Sequence, residues 1–353
     1  MKSAAIRVLV IDDSLFMRTL VSDFLNSDPA IEVIAVAQSG EEAMKKLSTL
    51  KPDCITLDLM MPGWGGLTTL KHIMNEHPTP VIILAAQSKK AADTAMECLD
   101  AGAVSFVAKP SGELSLDIEL VKHVLIDRVK AASKVEVGKL ASLLAVRPKR
   151  PRGRLKPAAS VVVIGASTGG PQTLELILGS MPEEFPAPMI IVQHMPSVFF
   201  TKSFAEHLDK TSDLSVRIAE EGGTLKAGSV YVAPAGYELT FGPGPNGSPS
   251  SNGGGFACFR LTEEKPDLLT PSIDKTMTSA AEVFGGSTVG VILTGLGQDG
   301  REGMKAIKNA GGRTIAQDHT SLIFGMPKAV IDAGVADKVL PASEVARALM
   351  ELV

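Results

Sequence analysis

Ten short aliphatic runs, set apart by helix-length spacers, commit this chain to parallel α/β architecture. Runs of Val, Ile and Leu without polar alternation suit strands buried on both faces, as in a sheet covered by helices on each side. The first five, IRVLVI, EVIAVA, DCITLDL, PVIILAA and VSFVAKP, fall between residues 6 and 110. Their spacers carry the helical period: Met17, Leu20, Val21 and Phe24 lie at i, i+3, i+4, i+7, and Ala43, Leu47 and Leu50 continue it. Five such units pack most naturally as a doubly wound, flavodoxin-like domain. After residue 160 come SVVVIG, APMIIVQ, GSVYVAP, STVGVILTG and GRTIAQ, with Leu174, Ile177, Leu178 and Met181 marking a helix among them. This is a second, mainly parallel α/β domain.

A length of 353 residues also favours two domains, each with its own core. Between the two halves, residues 133–159 hold eight Lys or Arg against the single Glu136, and Pro is dense beyond Val146. The expected organisation is a domain over 1–132, a basic linker over 133–159 and a second domain over 160–353. Such charge blocks are usually solvated, although docking to an acidic partner is a second reading. The stretch GPGPNGSPSSNGGG, between Phe241 and Phe256, reads as a mobile hairpin insertion because it has nothing apolar to bury.

Composition removes several functions. A net charge of −4 disfavours nucleic-acid or membrane-surface binding, and aromatics at 4% with one tryptophan disfavour base stacking. No apolar run reaches the ~18 residues a membrane span needs, and Arg7, Asp12 and Asp13 make the first segment a strand rather than a signal peptide. Three scattered cysteines without a CxxC pair fit a reducing cytoplasm.

Ligands of open parallel sheets bind beyond the carboxyl ends of the strands, so polar residues directly after the aliphatic runs come first. In the first half these are Asp12 and Asp13, then Asp58, then Lys109. Clustered carboxylates repel unless a cation joins them, which points to a hard divalent ion such as Mg2+ with Asp58 as a nucleophile for phosphoryl transfer. A lone Asp pair after a strand also fits a plain surface turn. The doublet IDD, the segment LDLMMPGWGGL and the terminus AKP resemble, in order, the receiver domain of two-component response regulators over residues 6 to about 125. The resemblance implies phosphorylation of Asp58 by a histidine kinase phosphodonor, Mg2+ at Asp12, Asp13 and Asp58 with help from the Met60 carbonyl, and a switch involving Lys109 and Phe106. Ala85 stands where that family has Ser or Thr, and Ser88 is the next hydroxyl.

In the second half the same rule selects Ser167 after VVVIGA, His194 after PMIIVQ and Asp299 in TGLGQDG. A serine needs a base to take its proton, and a neutral imidazole needs a carboxylate to fix its tautomer, so the three form a nucleophile, a base and an orienter. The GASTG turn matches GxSxG, expected to expose the serine, and Gly169, Gly170 and Pro171 open a helix whose amides suit an oxyanion. Histidine precedes the acid, contrary to the α/β-hydrolase order. Singly, each residue also fits a structural role: a packing turn, a strand-end histidine, or Asp299 as a helix cap.

The segments IGASTGGPQTL, VQHMP, GSVYVAPAGYEL, TPSIDKTM, ILTGLGQDGREGM and AQDHTSLIFGMPKAV resemble the catalytic domain of chemotaxis-type protein-glutamate methylesterases over residues 160 to 350. The resemblance implies hydrolysis of glutamate γ-methyl esters on membrane chemoreceptors, with deamidation of glutamines a further activity. It also implies no cofactor in the esterase site, Ser167, His194 and Asp299 as the catalytic residues, Thr168 lining the site, and the Leu296 backbone as an oxyanion contributor. Leu296 stands where Met is usual, and Thr270 where Arg is common. A cytoplasmic monomer that reaches the membrane only through receptors follows from it, with phosphorylation of the receiver releasing the esterase. The alternative is a receptor-binding signalling module without turnover.

Overall fold

The computed structural model describes residues 5–110, 115–145, 161–243, 257–263 and 270–353. The chain divides into two compact units, Met1–Ala145 and Val146–Val353.

In the first unit, strands β1 (Ile6–Ile11), β2 (Ile31–Ala37), β3 (Cys54–Asp58), β4 (Val81–Ala85) and β5 (Ser105–Ala108) alternate with helices α1 (Leu15–Asn26), α2 (Gly40–Leu47), α3 (Gly65–Glu76), α4 (Lys89–Asp100) and α5 (Ser115–Ala132). The sheet order is β2-β1-β3-β4-β5 and every pairing is parallel. All five strands coincide with the aliphatic runs, and β3, β4 and β5 are buried at every residue, as a strand covered on both faces requires. Val8, Val10 and Ile11 of β1 and Val81, Ile82 and Ile83 of β4 are fully buried. Ser14, Ser39 and Ser88 each accept a hydrogen bond from an amide of the first turn of α1, α2 and α4, which starts those helices. A further helix, α6 (Val137–Ala145), belongs to this unit with Leu140 buried, so the basic segment begins as a helix there. The expected extended linker beyond Val146 lies outside the described residues.

The LDLMMPGWGGL turn depends on missing side chains. Gly63 and Gly65 take φ of 76° and 64°, values that favour glycine. At Gly66 a Cβ would fall 2.5 Å from the Asp58 carbonyl oxygen and 2.7 Å from the Leu59 Cα. Backbone cannot yield as a side chain does, so Gly66→Ala should cost the first unit about 2 kcal/mol. Trp64, the single tryptophan, stacks on His72 at 4.2 Å and reports this unit. Urea unfolding of the full chain followed by its fluorescence should show the lower midpoint; an unchanged midpoint would mean that the turn relaxes without cost.

The second unit contains β6 (Val161–Ala166), α7 (Gly170–Gly179), β7 (Met189–Gln193), α8 (Val198–Thr211), β8 (Ser215–Ile218), β9 (Ser229–Val232), β10 (Tyr237–Pro243), β11 (Ala257–Glu263), α9 (Ile273–Phe284), β12 (Thr288–Ile292), α10 (Arg301–Asn309), β13 (Arg313–Gln317), α11 (Met326–Asp332), β14 (Lys338–Leu340) and α12 (Ala342–Leu352). Seven strands form one parallel sheet in the order β14-β13-β12-β6-β7-β9-β8. The core runs through β6, β7, α9 and β12, with Val163, Ile190, Met277 and Ile292 fully buried. β10 and β11 pair as an antiparallel ribbon that packs Phe241 and Phe259 into that core. The Gly/Pro/Ser insertion begins at the end of β10, where Gly242 and Pro243 pair with Cys258 and Ala257, and residues 244–256 lie outside the described residues.

Candidate active and phosphoacceptor sites

In the first unit, β1 and β3 are neighbours, so Asp12 just beyond β1 and Asp58 at the end of β3 meet at the edge where the strand order reverses. Asp12 and Asp58 are buried, whereas Asp13 is exposed. Lys109 follows β5 and bridges the two buried acids, its Nζ lying 2.7 Å from Asp12 Oδ2 and 2.9 Å from Asp58 Oδ1. Burial pushes the Asp12 carboxyl above its usual range, and the Asp58 charge adds to this against the pull of Lys109. Burial opposes the charge of Lys109 as well, yet the two carboxylates hold it above the ordinary lysine value. Carboxylate oxygens of Asp12, Asp13 and Asp58 lie within 4.8 Å of one another. Three acids against one lysine leave negative charge in a small space, a donor set that suits a hard divalent cation.

Other residues noted in the sequence fall as follows. Phe106 is buried in β5 opposite Ile83. Ala85 is fully buried at the end of β4, and the Ser88 hydroxyl is occupied as the cap of α4, accepting from the Ala91 amide. The Met60 amide donates to Asp58 Oδ1 at 3.2 Å.

In the second unit, β12, β6 and β7 are adjacent, which brings Asp299, Ser167 and His194 to one rim although they lie 27 and 105 residues apart along the chain. His194 Nδ1 is 3.2 Å from Ser167 Oγ, and His194 Nε2 is 2.9 Å from Asp299 Oδ2. A carboxylate only accepts, so the tautomer that satisfies both contacts carries its proton on Nε2 and leaves Nδ1 to accept from the serine. All three are buried, at 5%, 6% and 6% exposure for Ser167, His194 and Asp299. The exposed serine expected from GxSxG is therefore corrected. Among the described residues no non-glycine has positive φ, and Gly169, at φ 77°, makes the turn that a strained serine makes in α/β-hydrolases. At the helix start opened by Gly169, Gly170 and Pro171, the Gly170 N–H is bonded to the Ser167 carbonyl and the proline carries no N–H.

Asp299 is held from several sides. It accepts from the amides of Ile273 (2.8 Å), Asp274 (3.0 Å) and Gly300 (3.0 Å) as well as from His194. Burial would raise its carboxyl, but the His194 contact and these amides outweigh burial and lower it below the usual value. Asp274 answers in kind, accepting from the Gly303 amide in the first turn of α10. Each of these aspartates thus caps the other's helix. The serine loop is framed by Thr294, whose carbonyl accepts from the Ser167 amide and whose hydroxyl donates to the Thr168 carbonyl. Gln317 accepts from the Thr294 amide, and Gln193 donates to the Ser167 carbonyl. Thr168 is buried beside Ser167, and Leu296 is half-buried in the loop between β12 and Asp299. The sequence reading missed Ser272, Thr294, Gln193 and Gln317; their one signal is a polar residue at or just past the end of an aliphatic strand or at a helix start.

The fold and these two strand-end clusters define a class: a flavodoxin-like unit with a phosphoacceptor-type acidic pocket, joined to a parallel α/β unit with a serine–histidine–aspartate relay. Residues 162–349 match the family model described as CheB methylesterase, and residues 8–120 match the response regulator receiver domain. A protein-glutamate methylesterase/protein-glutamine glutaminase of Thermotoga maritima is 43% identical, covering 100% of both chains. Proteins of the same name from Pyrococcus abyssi and Geobacillus kaustophilus are each 40% identical over 99% of this chain, covering 94% and 99% of their own. Among solved structures, the catalytic domain of Thermotoga maritima CheB methylesterase is 44% identical with a TM-score of 0.51, covering 56% of this chain and 100% of that one. The chain belongs to the CheB methylesterase family, with a receiver domain ahead of the methylesterase domain.

Proposed function

We propose that this chain is a serine esterase that removes methyl groups from glutamate γ-methyl esters of chemoreceptors, and ammonia from receptor glutamines, under control of phosphorylation at Asp58. The single observation that carries the reading is the continuous relay Ser167–His194–Asp299 at adjacent strand ends. Ser167 Oγ attacks the ester carbonyl carbon while its proton passes to His194 Nδ1, giving a tetrahedral oxyanion. Collapse breaks the bond to the methoxy oxygen, which takes the proton from His194 and leaves as methanol. Water then attacks the acyl-serine, again giving its proton to His194, and Ser167 leaves reprotonated as the glutamate carboxylate is released. Asp299, kept ionised, stabilises the imidazolium of both half-reactions. Thr168 lines the site and the Leu296 backbone contributes to the oxyanion site.

In the receiver, Asp58 accepts a phosphoryl group from a histidine kinase, with Lys109 and Phe106 relaying the change. Asp12, Asp13 and Asp58 hold Mg2+, which balances charge on the transferring oxygens when bound. The buried acid pair and its raised Asp12 carboxyl support this fit. Mg2+ at about 100 times its Kd should stabilise the first unit by about 2.7 kcal/mol, read at Trp64 as a higher thermal midpoint. A chelator should reverse the effect and Asp13→Asn should weaken it; no shift at millimolar Mg2+ would remove the metal from this pocket.

The domains of this reading are 1–132 and 160–353 with a basic linker over 133–159, in a monomeric cytoplasmic protein that meets the membrane through its receptors. Among the described residues no helix is long and apolar enough to cross a membrane. The test is methanol released from methylated receptor by the full chain, with and without a phosphodonor. Methanol in step with new carboxylate, faster after phosphorylation, is the expected result; receptor binding without methanol would leave a signalling module that has no turnover.

A further inference from the structure

Glu238 is a buried carboxylate on β10 that the relay does not use. One oxygen, Oε2, accepts from the Ser272 amide at 2.9 Å, and the other lies 3.3 Å from Lys275 Nζ. Ser272 caps α9: its hydroxyl accepts from the Lys275 amide and stands 3.4 Å from Asp299 Oδ1. The next two amides of that same turn, Ile273 and Asp274, are the donors that grip Asp299. Two carboxylates therefore seize one helix start from opposite ends of a three-residue segment, and only one of them faces His194. Further along, the Leu239 carbonyl accepts from Thr276 and the Phe241 amide donates to Ser279, so β10 is fastened down the length of α9 with Glu238 as its first clasp.

We propose that Glu238 is a positioning residue for the esterase. By fixing the Ser272 amide it sets where the Ile273 and Asp274 N–H groups point, and through them the angle at which Asp299 holds His194. This rests on the serine esterase reading above. A lost hydrogen bond at this remove displaces the carboxylate by a fraction of an ångström, and misplacement of that kind acts on turnover, since relay geometry is used in the transition state rather than in substrate binding. The Lys275 side chain is more than half exposed, so its ion pair contributes little and the amide contact carries the effect.

The test compares full-length wild type, Glu238→Leu and Glu238→Gln in methanol release from methylated receptor, with active sites counted by fluorophosphonate labelling. Glu238→Leu lacks an acceptor and should lose about tenfold in kcat per labelled site with KM unchanged. Glu238→Gln keeps an oxygen for the Ser272 amide and should stay within about twofold of wild type. Wild-type kcat in Glu238→Leu, an equal loss in both variants, or a loss confined to KM would overturn the proposal. Should Glu238→Leu fail to fold, Ser272→Pro is measured against Ser272→Ala. The φ of −78° at 272 suits proline, and the two variants differ chiefly in the amide hydrogen. The proline variant should be at least fivefold slower than the alanine one, and equal rates would overturn the proposal. Ser167→Ala run alongside separates the two failures: turnover in that variant sinks the esterase reading itself, whereas an inactive Ser167→Ala beside a fully active Glu238→Leu sinks only the role of Glu238.

Discussion

Ser167→Ala should lower methanol release by roughly six orders of magnitude while leaving the fold and receptor binding intact. Removing the nucleophile of a coupled serine, histidine and carboxylate eliminates the covalent route, and the remaining rate comes only from binding and oxyanion contacts. The fold should survive because Ser167 is tied to its surroundings through its backbone. Its amide donates to the Thr294 carbonyl, and its carbonyl accepts from Gln193 and Gly170. Alanine preserves all three bonds. The measurement is methanol per active protein, with circular dichroism and receptor co-sedimentation as controls; residual turnover within tenfold of wild type would exclude Ser167 as the attacking group.

Asp299→Asn should cost about three to four orders of magnitude in kcat, more than the loss of one hydrogen bond would suggest. An amide at this position cannot serve both sets of partners. Its oxygen can accept from Ile273, Asp274 or Gly300, but an NH2 turned toward His194 forces the proton from Nε2 to Nδ1. Nδ1 then can no longer accept from Ser167. The variant should also lose stability that wild type has at neutral pH. Asp299 is lowered in the folded state from an ordinary 3.8, so its contribution is complete above that value and fades as the pH falls through the lower folded one. Urea midpoints of wild type and Asp299→Asn should differ at pH 7 and converge in acid; a constant gap would place the stability difference elsewhere.

Much of this protein was legible in its residue order. Strands β1, β3, β4, β6, β7 and β12 announce themselves because burial on both faces demands unbroken Val, Ile and Leu. The reactive residues follow directly: a polar group at the end of such a run must emerge at the sheet edge, as Asp12, Lys109, Ser167 and His194 do. The two edge strands of the second sheet escaped for the converse reason. β8 and β14 have only partial burial, so their sequences carry no aliphatic signature. Serine exposure was misread because GxSxG describes a turn, while the depth of that turn depends on Thr294, Leu322 and Gln193, packed around it from distant segments of the chain.

Local pattern, then, was enough for two parallel layers and for the kinds of group at their rims, since hydrophobic period and helix capping act over a few neighbouring residues. Which strands lie side by side was decided only in three dimensions. So were the face of His194 turned to the serine, and the clasp of Glu238 and Asp299 on a single helix start. Those contacts join groups separated by 25 to 105 residues, and their hydrogen bonds exist only after the sheet has closed the intervening loops.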